Sequence, residues 1–430
     1  MRRHTLCVLA TGLVCLFFWL PHGHAGQTAA LPEGEMMCSG QIYAPRGGMR
    51  VRQGAVRCDE LVSPKSANFS PDGTRLYLNA LESSFTLVYS FPELQQVAAI
   101  RHAFGPADGH LFQGENTVFS YQYYSKPAGG NPNIFWGKPV EAAFSHGGKY
   151  LWIPYYRRSF DANASSPSAT AIIETASNTI VRVMPTGPLP KVVAISPDNT
   201  LAAITHWGDN TVGIIDISSD NPQDFRYVGQ LVVGYKLSTA GIRGDRDRNC
   251  GFCLRGTVFT PDSKHLLVGR MGGGGISCFA MPEGKLLGSL SSFCNTPRHL
   301  ALDPEGKYLY ASNHKEGTVG RVLLADFLKS AANAGGKSVA GPAGEKIHVG
   351  RGVRTIAVSP DGKKLYAAVN VASLLLEIDI PSWRVVRKTR VSPFAVGLGV
   401  HPDGSHVAVT SQGREGSGGN SVEIFQTSLP

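Results

Sequence analysis

The stretch that decides the fold runs from Val353 to Val386 and reads VRTIAVSPDGKKLYAAVNVASLLLEIDIPSWRVV. Its SPDG segment has the composition of a tight turn, because proline fixes φ, aspartate hydrogen-bonds to nearby backbone and glycine accepts positive φ. Short apolar runs lie on both sides of this turn, and two more follow. The pattern is typical of four short β-strands joined by turns.

The same turn phrase recurs seven times along the chain. Its copies are SPDGTRLY from Ser70, SHGGKYLW from Ser145, SPDNTLAA from Ser196, TPDSKHLL from Thr260, DPEGKYLY from Asp303, SPDGKKLY from Ser359 and HPDGSHVA from His401. Successive starts lie 42 to 75 residues apart, enough for four strands each. The sequence therefore predicts an all-β chain, a seven-bladed β-propeller of four-stranded blades. One helix-like stretch, residues 321–334, is expected as an insertion in the fifth blade.

Composition agrees with a single large β domain. Glycine and proline, 50 and 27 of 430 residues, are spread along the chain as turn residues and do not gather in a linker. The 42% of hydrophobic residues supplies a large core, which excludes intrinsic disorder and a coiled coil.

The first 25 residues have the pattern of a secretory signal peptide. Arg2 and Arg3 precede an apolar run from Leu6 to Leu20, and Gly23 and Ala25 are the small residues expected before a cleavage site. We therefore expect a periplasmic or secreted protein, with no membrane-spanning segment in the mature chain. Cleavage would lower the formal charge from +9 to +7, so the mature protein stays basic.

Two segments resemble the YVTN-repeat seven-bladed propellers, a family that includes the YncE-like periplasmic proteins. They are the stretch from Val353 and KVVAISPDNTLAAITHWGDNTVGIIDI from Lys191. The resemblance implies a closing N-terminal segment at residues 26–65 and a propeller over residues 66–430. It also implies a strand between residues 40 and 56 that completes the blade holding residues 421–426. It says little about function, because the family includes both binding proteins and enzymes.

Strand order assigns loops to the two rims of the propeller. If the SPDG turns join the first and second strands at one rim, the second-to-third loops and the connections between blades share the opposite rim, called the top. The longest such connection is 101–139, and long insertions are frequent sites of function. We expect basic and aromatic residues to converge at the top mouth of the channel as a ligand site: Arg270, Arg298, Arg351, Arg354, His206, Trp207 and His314.

Arginine forks bind carboxylates and phosphates, so these residues indicate an anionic or aromatic partner. We expect an anionic small molecule, a glycan or a protein, bound by a monomer that is a binding module more than an enzyme. The alternative is that the charges are simply solvated loop residues. An exported protein has little access to nucleic acid, which is therefore disfavoured as a partner.

Six cysteines remain after signal cleavage, which in an exported chain indicates disulfides: Cys38, Cys58, Cys250, Cys253, Cys278 and Cys294. We expect Cys38 to bond Cys58 and stabilise the closure region. The Cys250-Gly-Phe-Cys253 motif fits a structural disulfide best, with a redox-active disulfide or a soft-metal site that includes Cys294 as alternatives.

No cofactor is predicted. A different class of function remains open, a periplasmic propeller enzyme such as a metal- or haem-dependent oxidoreductase or a lactonase. TPRHLALDPEGKYLYASNHKEGTV from Thr296 is similar to a segment of the propeller lactonases, in which an arginine and a glutamate belong to the active site. Arg298 matches that arginine, but His314 replaces the glutamate.

Overall fold

The repeated phrase forms the predicted hairpin turn, as Ser359 to Lys364 illustrate. In the computed structural model, which describes residues 35–112, 133–238, 244–413 and 418–427, the amide of Ser359 donates to the carbonyl of Lys364 (2.8 Å). Gly362 has φ of +68°, a conformation that favours glycine. Asp361 accepts hydrogen bonds from the Ser359 hydroxyl (2.6 Å) and from the amide of Lys363 (3.0 Å). Each such turn joins the first two strands of one blade.

The described strands form seven sheets, each with at least four strands. The chain begins with the closing strands β1 (Cys38–Tyr43) and β2 (Val56–Arg57). The first three blades follow: blade 1 with β3 (Pro64–Phe69), β4 (Arg75–Ala80), β5 (Phe85–Ser90) and β6 (Gln96–Arg101); blade 2 with β7 (Ala103–Phe104), β8 (Phe135–Pro139), β9 (Ala143–Ser145), β10 (Tyr150–Arg158), β11 (Ser168–Glu174) and β12 (Thr179–Thr186); blade 3 with β13 (Pro190–Ile195), β14 (Leu201–His206), β15 (Thr211–Asp216) and β16 (Arg226–Val232).

The remaining four blades contain one helix as an insertion. They are blade 4 with β17 (Leu254–Phe259), β18 (His265–Arg270), β19 (Ile276–Ala280) and β20 (Lys285–Leu290); blade 5 with β21 (Pro297–Leu302), β22 (Tyr308–Asn313), β23 (Thr318–Leu323), α1 (Leu324–Asn333), β24 (Ser338–Val339), which joins the edge of blade 4, and β25 (Glu345–His348); blade 6 with β26 (Val353–Val358), β27 (Lys364–Val369), β28 (Leu374–Asp379) and β29 (Arg384–Arg390); blade 7 with β30 (Ala395–Val400), β31 (His406–Ser411) and β32 (Ser421–Gln426).

The predicted closure by an N-terminal strand is confirmed. Strand β1 pairs antiparallel with β32 and supplies the fourth strand of blade 7, with Gln41 opposite Glu423. Strand β2 then pairs parallel with β1 on the outer side. Joining the two ends of the chain removes the open sheet edge that an unclosed propeller would expose.

The two predicted insertions are present with different bounds. Helix α1 begins at Leu324, because Arg321 still pairs with Glu345 in the sheet of blade 5. The 101–139 connection contains β7, a 3-10 helix (Pro106–Phe112) and β8, which extends the sheet of blade 2, while residues 113–132 lie outside the described part. Two further 3-10 turns are His146–Gly148 and Pro222–Asp224.

The core lies between neighbouring sheets. Each large group of buried apolar side chains combines residues of adjacent blades, as where Trp152 of blade 2 packs with Phe225 of blade 3. The first strands of successive blades contact one another around the central channel, blade 7 against blade 1 included. In the described ranges, no helix is long and apolar enough to cross a membrane. The predicted signal peptide, residues 1–25, lies outside these ranges.

The cysteines correct the disulfide prediction. Cys38 and Cys58 are free thiols, because Cys58 sits beside Tyr43 at the far end of β1, with its amide donating to the Tyr43 carbonyl. Five strand residues span about 17 Å, well beyond the roughly 7 Å that a disulfide tolerates between Cα atoms. Cys278 and Cys294 are also free thiols, both fully buried in the apolar cluster beneath α1. Cys250 and Cys253 are bonded to each other.

Candidate anion-binding site at the channel mouth

A repeated irregularity at the start of the innermost strands aims side chains into the channel. Strands β3, β13 and β21 each begin with proline and skip one residue in their pairing, at Lys65, Lys191 and Arg298. Proline lacks the amide hydrogen, so it is tolerated at the first position of a strand. An unpaired bulge residue leaves the alternation of the sheet and can direct its side chain elsewhere. Strands β17, β26 and β30 have a wider skip at the same place, which includes Arg255, Arg354 and Val396.

These bulges surround a cavity of about 380 Å³ at the top mouth of the channel. Its walls combine basic, aromatic and aliphatic side chains contributed by all seven blades or by their connecting segments. The lining residues are Lys65, Leu81, Val140, Tyr156, Lys191, Trp207, Asp247, Arg255, Met271, Arg298, Arg354 and Gln412.

Blades 2 to 4 bring two cations and two carboxylates together. Arg255 forms a close salt bridge with Glu141, which precedes β9, and both side chains are largely buried. Burial raises the pKa of Glu141, but Arg255, Lys65 and Arg298 together lower it to about 2. Glu141 is therefore an anion at neutral pH.

The second compensated cation is Lys191. Its ammonium lies 3.2 Å from Asp247, 3.7 Å from the centre of the Tyr156 ring and 4.8 Å from that of Trp207. The indole N–H of Trp207 donates to the Asp247 carbonyl (3.1 Å), so the same connection holds both the ring and the carboxylate. Burial lowers the pKa of Lys191 to about 7, although Asp247 opposes the shift.

The cations of blades 5, 6 and 1 differ from Arg255 and Lys191 in their surroundings. Among the described residues, Arg298, Arg354 and Lys65 have no carboxylate within ion-pair distance. One terminal nitrogen of Arg298 lies 3.4 Å from the Met271 sulfur, and Arg354 lies 5.6 Å from the centre of the Phe394 ring. These contacts leave most of their hydrogen-bond donors open.

The lowered pKa values of these three cations show that the cavity destabilises their charged forms. Burial, Arg255 and Arg354 lower the pKa of Arg298 well below its usual value. Burial and Arg255 lower that of Arg354 to about 9, and burial and Arg354 strongly lower that of Lys65. Burial and mutual repulsion both disfavour the charged forms, and an anion placed among these cations would offset the repulsion and favour those forms.

Three of the seven predicted site residues line the cavity: Arg298, Arg354 and Trp207. His314 lies close by, where burial and Arg298 lower its pKa to about 4, and its Nδ1 is 3.1 Å from the Val353 carbonyl. It is therefore a neutral neighbour of the cavity at physiological pH.

The other three are not brought into the cavity. Arg351 is exposed on the connection to blade 6. Arg270 stacks on Phe252 (3.7 Å) and reaches Ser338, which turns its guanidinium away from the channel. His206 is fully buried within blade 3, where its Nδ1 lies 2.8 Å from the Thr211 hydroxyl.

Sequence reasoning missed Lys65, Lys191, Arg255 and Glu141. A signal for the three basic residues exists, because each stands five residues before the first residue of the turn phrase, as do Arg298 and Arg354. Glu141 stands four residues before its phrase, so the same rule does not find it.

The cysteine alternatives for a metal site are not supported by this geometry. Cys250 and Cys253 are bonded to each other, and burial raises the pKa of the Cys294 thiol, which favours its protonated form. Within the described ranges, no group of three or more histidine, cysteine, aspartate or glutamate side chains could hold a metal ion.

Comparisons with known proteins agree on the fold alone. No protein-family model and no curated protein matches the chain. Among solved structures, it resembles the hydrazine synthase of Kuenenia stuttgartiensis, with a TM-score of 0.56, 14% identity and coverage of 89% of this chain and 100% of that one. It also resembles a chain of a mitotic checkpoint complex, with a TM-score of 0.60, 11% identity and coverage of 98% and 100%. The protein is thus a seven-bladed β-propeller, a class whose members share architecture without sharing function.

Proposed function

We propose that this protein is an exported, YVTN-type binding propeller that holds a small polyanion at the top mouth of its channel. The observation that carries the proposal is the group of three cations, Lys65, Arg298 and Arg354, which converge on one cavity from three blades without a described carboxylate partner. Arginine presents paired N–H donors that match carboxylate and phosphate oxygens. The cavity has room for a small molecule of several anionic groups.

A binding role suits the site better than acid–base catalysis. The acid with the largest electrostatic effect on Arg298 is Glu141, whose carboxylate is engaged by Arg255 and whose pKa is about 2. So acidic a group is a weak proton acceptor at neutral pH. A stoichiometric metal or a visible chromophore in protein purified from its own host would instead support an oxidoreductase.

The test is thermal unfolding with sodium tricarballylate, a small tricarboxylate, at constant ionic strength. Free ligand at about 100 times its Kd stabilises the folded state by about 2.7 kcal/mol, which corresponds to several degrees in Tm. Replacing Arg298 and Arg354 together by Ala should abolish the shift while the fold remains. High salt should weaken the shift in the wild type.

The matched control removes the same amount of charge from exposed positions. Arg351 and Arg384 are both exposed, so the double variant Arg351→Ala/Arg384→Ala should keep the full shift. If tricarballylate, citrate and pyrophosphate all leave the Tm of the wild type unchanged, the proposal is wrong. The same holds if the Arg298 and Arg354 variant responds as strongly as the wild type.

A further inference from the structure

The Cys250–Cys253 disulfide lies in the segment that supplies the carboxylate of Lys191. Residues 244–253 form the last part of the connection from blade 3 to blade 4, and the disulfide joins two residues only three apart at its end. The amide of Cys253 donates to the Cys250 carbonyl (2.9 Å), which closes a tight turn. Cys253 has φ of +50°, a conformation that residues with a side chain rarely adopt. The covalent bond therefore helps to hold a turn that the backbone alone disfavours.

Contacts of Cys250 and of the residues just before it reach the channel mouth. Cys250 is buried against Trp207, the ring that lies over the Lys191 ammonium. Asp247, three residues earlier, pairs with Lys191 and accepts the Trp207 indole hydrogen bond. The disulfide thus closes a turn three residues after the carboxylate that faces Lys191.

The same turn is accessible from outside. Gly251 is exposed and Cys253 is partly exposed, whereas Cys250 is buried. Within the described ranges this is the one disulfide, and the other four cysteines are already free thiols. A reductant therefore acts at this bond, where Cys253 is the more exposed of the two partners.

We propose that Cys250–Cys253 is a thiol–disulfide exchange site whose redox state sets the affinity of the channel mouth for anions; this rests on the proposed function. A dithiol reductant attacks the sulfur of Cys253, forms a mixed disulfide there and releases Cys250 as a thiolate, which takes up a proton. The second thiol of the reductant then attacks the mixed disulfide and frees Cys253. Two electrons and two protons reach the protein, and the reductant leaves as its own disulfide.

Reduction raises the affinity for anions, because it loosens the connection that carries Asp247 and leaves the three open cations in place. Lys65, Arg298 and Arg354 are held by the innermost strands of other blades and stay in place. Asp247 lies on the connection that contains this bond and lines the cavity, so its displacement takes a negative charge away from the bound anion and frees the Lys191 side chain to contact it. We expect tricarballylate to bind about five- to tenfold more tightly to the reduced protein, within the usual range of coupling between two sites.

The experiment compares calorimetric titrations of tricarballylate into the full-length mature protein with and without excess dithiothreitol. Thiol alkylation and peptide mapping verify that Cys250 and Cys253 are reduced. Asp247→Asn should bind about as tightly in its oxidised form as the reduced wild type does, and it should lose its response to the dithiol. Asp262→Asn, which removes the same charge from the turn at the opposite rim of blade 4, should respond like the wild type.

A second variant tests whether the change in affinity comes from loss of the disulfide or from loss of structure. Cys250→Ser/Cys253→Ser should bind as the reduced wild type does, keep its affinity in the dithiol and unfold cooperatively. Equal or lower affinity after reduction overturns the redox proposal while the anion site stands. No binding in either redox state overturns the proposed function itself.

Discussion

On one side of the channel mouth, in blades 2 to 4, the cations of the innermost strands face carboxylates: Arg255 pairs with Glu141, and Lys191 with Asp247. On the other side, in blades 5, 6 and 1, Arg298, Arg354 and Lys65 occupy equivalent strand positions without such partners among the described residues. Blade 7 separates Arg354 from Lys65 and carries Val396 at that position. The same strand position thus has a carboxylate partner on one side of the channel mouth and, among the described residues, none on the other.

In a repeat protein, equivalent positions that differ in their charge partners are the places to look for function. A buried charge with a built-in partner is part of the scaffold, and removing the partner is costly. A group of buried like charges costs stability, which a bound counter-ion or the removal of a charge would recover. The two sides should therefore respond to mutation with opposite signs.

The largest expected effect is the loss of the buried pair on the compensated side. Glu141→Gln leaves Arg255 without its carboxylate, so we expect the free energy of unfolding to fall by about 3–5 kcal/mol. Urea unfolding measures the change. Glu141→Gln/Arg255→Met should recover a large part of it, and an equal loss in both variants would show that the pair is not what matters.

On the open side, removing a charge should stabilise the protein. Lys65→Met keeps the length and apolar stem of the side chain but removes an ammonium whose pKa is already lowered by burial and by Arg354. We expect the free energy of unfolding to rise by about 1 kcal/mol without anions, and the stabilisation by tricarballylate to shrink. A less stable Lys65→Met protein would mean that this lysine has a stabilising partner.

The pH dependence of stability should reveal Lys191. Its pKa is about 7 in the folded protein, whereas a lysine in the unfolded chain titrates near about 10.4. Between these values the unfolded state binds the extra proton, so stability rises with pH from about 7 to 10. Lys191→Met should lack this part of the rise, measured by urea unfolding across that range. Parallel curves for the two proteins would contradict the lowered pKa.

The smallest expected effect tests a residue that the sequence placed in the site and the structure does not. Arg351 is exposed on the connection before β26, so Arg351→Ala should change stability by no more than about 0.5 kcal/mol. Its affinity for tricarballylate should stay close to that of the wild type at physiological salt, where distant exposed charges are screened. A several-fold loss of affinity would show that Arg351 contributes to the anion site.

Much of the fold could be predicted because its determinants are local. The SPDG phrase specifies a hairpin turn through proline, aspartate and glycine, and seven copies specify seven blades. The predicted start of the helical stretch, residue 321, was three residues early, because residues 321–323 still pair with β22 and only this tertiary pairing shows where the strand ends. The Cys38–Cys58 bridge failed for a similar reason, because sequence separation does not reveal that the two lie at opposite ends of β1.

Part of the candidate site could be predicted from the sequence. Arg298 and Arg354 were identified because their strands begin at the expected rim, and Trp207 because it follows β14 there. Arg270 was misplaced, since its loop position is right but Phe252 and Ser338 hold its side chain elsewhere. Lys65 and Lys191 occupy the equivalent positions of β3 and β13, and they were overlooked because only basic residues assigned to loops and connections of the top rim were considered.

What the sequence by itself determined is the repeat, and with it the turns, the number of blades and the rim on which each loop lies. These follow from short-range backbone chemistry that a few residues fix. Which cations have partners depends on the tertiary structure. Glu141 and Asp247 lie on other blades or connections, far along the chain from Arg255 and Lys191, and closure of the ring brings each carboxylate to its cation. Whether a charge is compensated or open depends on such distant neighbours, and that distinction defines the candidate site.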